Sequence, residues 1–365
     1  MTEESLITLH GKYQKTVEIY TTVCSPLFVG LLFVGMVFCL WTVVDGTHLK
    51  DHTYLLFTLI YSFAQYQAML NGILFIRLHK QNLNNFLEYF NFLVHTKDGR
   101  LPKIRQSVMA DTIKYGIIFV RLFFFFSTLS TVIIWFYGMS YTNYSSPMFY
   151  KIPYLPEGNI FYYPANIGLQ TIGLIVFVLG LVLNDTLVVV FVSYYNAEYD
   201  SISRLTLDLR SDETDVSEVL REIYSAHKKA FEQFNELKKF LWHSYLHKLV
   251  TASGYLCMIV YVLQFSAVTL AIICTSITAF YQVFMLCFIG QLNINSFEAL
   301  PIKLYTTNWY DMKLVDQKNL VMILCISQYN IGIKSFGIDA ISNNTFVGVV
   351  RGAASYAAIL YTVLN

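Results

Sequence analysis

Residues 167–194 read IGLQTIGLIVFVLGLVLNDTLVVVFVSY, and Asp185 is the only charged residue among them. A helix crosses the hydrocarbon of a bilayer with about 20 mostly apolar residues, so this stretch reads as a membrane span. The same pattern recurs on both sides of it, at Pro26–Val44, Tyr54–Ile76, Tyr115–Tyr137, Leu249–Ser276 and Phe280–Leu300. The last apolar region is split. Leu320–Ile326 is too short to cross and reads as a cytoplasmic helix, 7a; Thr345–Val363 just suffices and reads as the true seventh span, 7b. Composition agrees, with 55% of the 365 residues apolar and 13% charged, against roughly 45–50% and about 25% in soluble domains. The first 25 residues are mixed polar and acidic, so no cleavable signal peptide is expected and span 1 serves for targeting.

Lys and Arg set the orientation. The amino-terminal tail and the segments after spans 2, 4 and 6 together hold 21 of them, and the opposite side holds two. The fold class read from this is an all-α integral membrane protein of seven transmembrane helices. Its amino terminus is cytoplasmic, its carboxyl terminus extracellular, and its last helix is split into 7a and 7b. G-protein-coupled receptors have the opposite orientation. The outer loop Gly138–Asn166 also lacks a cysteine, and neither a DRY triplet after span 3 nor an NPxxY in span 7 is present. Asn143-Tyr144-Ser145 is an acceptor for N-glycosylation and lies in that loop.

Several functions are disfavoured. A net charge of +1 implies no nucleic-acid partner. The six cysteines are not spaced as CxxC, which argues against a disulfide framework or metal site. There is no P-loop, HExxH, GxSxG or GxGxxG, so neither catalysis nor a cofactor is expected. His243 and His247 share a helix face and read as a cytoplasmic surface pair.

The polar residues are more informative. Spans 2, 4 and 6 carry Gln65, Gln67, Asn71, Gln170, Asn184, Gln291 and Asn293. Amides are costly in hydrocarbon and should face protein or a wet cavity. Arg121 and Asp185 lie toward the inner ends of spans 3 and 4 and are candidates to pair. In Ser217–Lys248, Val219, Leu220, Ile223, Ala226, Ala230, Phe234, Leu237 and Leu241 recur near the helical period. That stripe predicts an amphipathic helix extending span 5 below the membrane. The outer loop holds Pro147, Pro153, Pro156 and Pro164 among many Tyr and Phe, and reads as an ordered lid over the bundle mouth.

The carboxyl-terminal third is specific. It reads Met285-Leu-Cys-Phe-Ile-Gly-Gln-Leu292, then Tyr305, Trp309, Lys318-Asn-Leu, Ser327-Gln328, Thr345-Phe346 and Ser355-Tyr356. With the inverted seven-span layout, this resembles the insect odorant receptors. The resemblance covers Ala230–Asn365 in sequence and the rest in topology. It implies a ligand-gated, non-selective cation channel, assembled as a heterotetramer with a shared odorant co-receptor subunit around a pore lined by span 7b. The segment Tyr195–Lys248 lacks the long insertion typical of the co-receptor, so the chain resembles an odour-tuning subunit. The implied setting is the plasma membrane of olfactory sensory neurons.

On that reading the chain has three parts. Residues 1–194 hold the tail and spans 1–4 with the outer part of the ligand-binding bundle. Residues 195–344 hold the cytoplasmic helices, spans 5–6 and helix 7a, an anchor region for subunit assembly. Residues 345–365 form span 7b. There Gly348, Gly352, Ser355, Ile359 and Thr362 make one stripe, small and polar apart from Ile359. Either this is a close helix-packing face or it lines a water-filled path gated at Ile359 and Thr362 by dewetting. The residues alone leave both open, and they leave open whether Arg351 faces the inner vestibule or an acid. The resemblance puts the ligand pocket among spans 2 to 5, with span 6 contributing. Candidate lining residues are Phe57, Thr58 and Tyr61; Phe126, Ser130 and Ile133; Leu169, Gln170 and Gly173; Tyr261, Gln264 and Phe265; and Tyr281. For each aromatic, plain bundle core or interfacial anchoring is the competing reading. The set describes an aromatic, uncharged cavity suited to a small neutral volatile. The alternatives are a gustatory receptor channel of the same superfamily, or a metabotropic seven-span receptor.

Overall fold

The structure is a computed structural model. It describes residue 11 and residues 14–15, 17–18, 25–45, 52–81, 83–96, 99–141, 149–156, 158–210, 215–265, 270–329, 332–334 and 340–364. Nine α-helices run through the described residues: α1 Ser25–Asp45, α2 His52–Gln81, α3 Leu83–His95, α4 Arg100–Tyr141, α5 Tyr162–Leu205, α6 Val216–Phe265, α7 Leu270–Tyr305, α8 Leu314–Ser327 and α9 Asn343–Leu364. Seven of these are 21 residues or longer, enough to cross a bilayer at 1.5 Å per residue. Among the described residues, α1, α4, α5 and α7 are apolar enough over a long enough stretch to be spans.

α5 is the axis of the bundle. It packs against α1, α2, α4, α6 and α7, and 67% of its apolar window is buried, against 22% for α1 and 17% for α4. Its polar residues Gln170, Asn184 and Asp185 are all buried, and such groups belong against protein rather than lipid. α1 and α4 instead turn Leu27, Phe33, Leu40, Leu122, Phe125 and Phe136 outward, a belt suited to lipid. Six of the seven amides, Gln65, Gln67, Asn71, Gln170, Asn184 and Asn293, are buried in protein. Asn293 Nδ2 donates to Asn196 Oδ1 across α7 and α5 at 2.7 Å.

α4, α5 and α6 are each more than 40 residues long, roughly twice what a bilayer needs. The surplus forms a second packed layer at one end of the bundle, the extension end. The sequence stripe of α6 supplies its core, because Val219, Leu220, Ile223, Ala230, Phe234, Leu237 and Leu241 are all buried. Arg105 on α4 grips Glu198 on α5 with two hydrogen bonds of 2.6 and 2.7 Å, a bidentate pair with both side chains almost wholly buried. Lys229 lies over the Phe92 ring at 3.4 Å and ties α6 to α3.

Three expectations change. The apolar run after Leu249 does not break at Ser276: α6 ends at Phe265, and α7 begins at Leu270 and runs through residues 277–279. Nothing around Thr278 interrupts a helix, since its hydroxyl bonds back to the Cys274 carbonyl at 3.0 Å. Of the expected surface pair, His243 is exposed while His247 is half-buried and meets Tyr66 edge-on at 5.8 Å. Asp185 does not pair with Arg121, which is exposed on α4. Its partner is Lys248 on α6, with both side chains fully buried. Lys248 sits where α6 closes on α5, so proximity in the bundle outweighs nearness along the membrane normal.

Candidate functional site

At the bundle end opposite the extension, α2 presents Thr58, Tyr61 and Gln65 along one face. Facing them are Phe38, Cys39 and Thr42 from α1, Ile134 and Trp135 from α4, and Leu169, Gln170, Gly173 and Leu174 from α5. Into this mouth enters the segment 149–152 of the connection between α4 and α5. Buried backbone must find partners, and here the helices provide them. Thr58 Oγ1 donates to the Phe149 carbonyl at 2.7 Å. Gln170 accepts from the Phe149 N–H at 3.2 Å and donates to the Tyr150 carbonyl at 2.6 Å. Thr42 Oγ1 accepts from the Lys151 N–H and Asn166 Oδ1 from the Ile152 N–H, both at 2.8 Å. The described part of the loop is thus a fastened plug, and Phe149 and Tyr150 are buried with it.

The plug completes an aromatic nest. The Tyr61 ring stacks on Phe149 at 4.7 Å and on Tyr150 at 6.2 Å, and meets Phe177 edge-on at 6.2 Å. A Cβ added at Gly173 would lie 3.1 Å from Tyr61 Oη and 3.2 Å from Tyr150 Oη, so the two phenol oxygens converge where α5 has no side chain. Tyr61 Oη and Gln65 Nε2 are buried without a hydrogen bond among the described residues. The nest is therefore apolar walls with an unsatisfied hydroxyl and amide, the make-up of a small-molecule site.

The candidates read from sequence fall into groups. Thr58, Tyr61, Leu169, Gln170 and Gly173 meet in this nest. Phe126 and Tyr281 meet each other at the α4–α7 seam, 5.5 Å between ring centres, and Tyr281 Oη donates to the Phe119 carbonyl at 3.0 Å. That seam belongs to a different packed cluster from Tyr61. Ser130 is buried and Ile133 half-buried on the same α4 stretch. The side chains of Phe57, Tyr261, Gln264 and Phe265, and all of Asn143, lie outside the described residues. Sequence reasoning missed Cys39, Phe149, Tyr150 and Trp135. The loop's density of Tyr and Phe pointed toward Phe149 and Tyr150 without saying which residues turn inward, and no sequence signal singled out Cys39 or Trp135.

Replacing Tyr61 by alanine removes the ring that both loop aromatics stack on. If this nest holds the ligand that the resemblance implies, the expected result is a rise of about tenfold or more in the half-maximal ligand concentration. An unaltered odour profile would count against this nest as the binding site.

α9 packs through Phe346, Val349, Ala353 and Ala357 against α6 and α7. Its opposite face is uncovered. Ser355, Ile359 and Thr362 are exposed and Gly352 half-exposed, and a Cβ at Gly348 or Gly352 would meet nothing within 4 Å. The Thr362 hydroxyl donates to the Ile359 carbonyl at 2.9 Å. The start of α9 is held from α7, where Gln291 Oε1 accepts from the Asn343 N–H at 3.4 Å.

A family model described as 7tm Odorant receptor matches residues 56–354. The fold is similar to the insect olfactory receptor OR5 from Machilis hrabei, with a TM-score of 0.74 and 13% identity over 92% of this chain and 88% of that one. It is also similar to the same receptor in complex with eugenol, with a TM-score of 0.75 and 12% identity over 96% and 98% of the two chains. None of the curated proteins matches the sequence.

Proposed function

The chain belongs to the 7tm odorant receptor family, and from that membership we propose that it is the odour-tuning subunit of a ligand-gated, non-selective cation channel. In this reading the seven long helices cross the plasma membrane of olfactory sensory neurons with the amino terminus inside, and the extension end is cytoplasmic. The charge asymmetry of the loops supports this orientation. A small neutral volatile binds in the nest under the loop plug. The carrying observation is the convergence of Tyr61 and Tyr150 over Gly173, with the Tyr61 hydroxyl left unsatisfied. The solved complex of the Machilis hrabei receptor with eugenol is in keeping with a small organic ligand.

The partner is the odorant co-receptor subunit, in a heterotetramer assembled through the cytoplasmic layer. α8 offers that layer Leu314, Val315, Val321 and Met322, all exposed and suited to burial against a neighbour. The uncovered face of α9 lines the pore, with Ile359 as an apolar gate and Thr362 just beyond it. A face carrying Gly348, Gly352 and Ser355 suits water better than lipid. Ligand opens the pore by favouring an arrangement with Ile359 off the axis.

The test is co-expression. Odour-evoked cation currents should need both this chain and the co-receptor, and should persist in excised patches without a G protein or nucleotide. Currents lost on excision and restored by an activated G protein would establish the metabotropic reading instead.

A further inference from the structure

Arg351 lies three residues after Gly348 and four before Ser355, on the face of α9 opposite buried Ala353 and Ala357. Its side chain is exposed, and no ion pair or hydrogen bond engages it among the described residues. It stands eight residues into the helix from Asn343, about 12 Å along the axis, and Ile359 stands about 12 Å further on. At that depth lipid is a poor environment for a guanidinium, and an intramembrane charge with no protein partner belongs in water.

We propose that Arg351 lines the inner vestibule of the pore, on the cytoplasmic side of the Ile359 constriction, and is a determinant of conductance and of monovalent over divalent selectivity. This rests on the reading that α9 lines the pore. A fixed positive charge lowers the local concentration of permeant cations by a Boltzmann factor. That factor enters squared for a divalent ion, so calcium is excluded more than sodium. Arg351 would thus be a brake built into the tuning subunit. It acts on ions after the gate has opened, and the odour affinity is set elsewhere, in the nest at the other end of α5.

The experiment records single channels of this chain assembled with the co-receptor. Arg351→Gln should raise the sodium conductance by about twofold and the calcium-to-sodium permeability ratio by a similar further factor, with the odour dose dependence unchanged. Arg351→Lys should keep wild-type conductance. Arg351→His supplies a measurement within one folded channel. Its conductance should climb as cytosolic pH is raised through the imidazole range near about 6.5, while the wild type stays flat. If the glutamine variant conducts like the wild type and the histidine variant is flat, Arg351 lies off the ion path and the proposal fails. The pore reading would then still stand if Ile359→Ala alters gating. If Ile359→Ala is silent as well, the assignment of α9 to the pore falls with it.

Discussion

Replacing Asp185 by asparagine, or Lys248 by methionine, is expected to remove most of the receptor from the cell surface. The two side chains form an ion pair between α5 and α6 with no solvent exposure on either. Gln282 on α7 adds a third point, donating from Nε2 to Asp185 Oδ2 at 2.8 Å. Three helices therefore converge on one carboxylate. Losing one member of a buried pair strands the other charge in a low-dielectric interior, which costs about 3–5 kcal/mol. That is a large fraction of the roughly 5–15 kcal/mol by which folded domains are stable. The pair need not be better than an apolar contact of the same volume. The double variant Asp185→Leu with Lys248→Met should therefore recover much of the surface level that either single change loses, and Arg121→Ala should leave that level at wild type. Surface labelling of a tagged chain reads all four. Single variants at wild-type level, or a double variant no better than the singles, would show that the pair does not hold the bundle together.

The second large effect concerns Gly290. A Cβ there would lie 2.5 Å from the Ile341 carbonyl oxygen and 3.2 Å from its carbonyl carbon. Backbone cannot rotate away as a side chain tip can. The segment before α9 is also pinned, since the Ile341 N–H donates to the Ile333 carbonyl at 2.8 Å. Even Gly290→Ala must push α9 away from α7 or distort this connection, a strain of about 1–3 kcal/mol. Gly290→Val should do more. The neighbouring Gln291 contact to the first turn of α9 would be pulled apart with it. The expected result is that the odour-evoked current of Gly290→Val falls by about tenfold or more beyond any fall in surface level, because the element displaced is the proposed pore helix. A valine variant whose current merely tracks its surface level would mean that the close approach is packing without consequence for gating.

These two sites show what the one-dimensional pattern could and could not carry. The motif around Gly290 and Gln291 was visible as a resemblance, but its cause was not. Ile341 lies some 50 residues further on, and only the folded chain brings its carbonyl against α7. Lys248 was counted among the cytoplasmic charges that fix orientation. Nothing in its sequence neighbourhood marks it as buried, so the sequence points Asp185 to Arg121 on α4, whereas the folded bundle gives it Lys248 on α6. The candidate ligand residues were legible where a helix face is regular, as at Thr58 and Tyr61. They were not legible in the loop, where Phe149 and Tyr150 are turned inward by hydrogen bonds to Thr58 and Gln170 that no periodicity encodes.

Hydropathy and its period determined that residues 167–194 form a long apolar helix, that the chain is an all-α membrane protein, and that residues 217–241 carry an apolar stripe under a charged face. These are properties of each residue and its near neighbours, because transfer from water and helical spacing are local. What the tertiary structure decided is which faces meet: Lys248 with Asp185, the loop plug with α2 and α5, the Ile341 carbonyl with Gly290, and the face of α9 left uncovered with Arg351 on it. Such pairings depend on how long, twisted helices cross, and that is fixed only when the whole bundle closes.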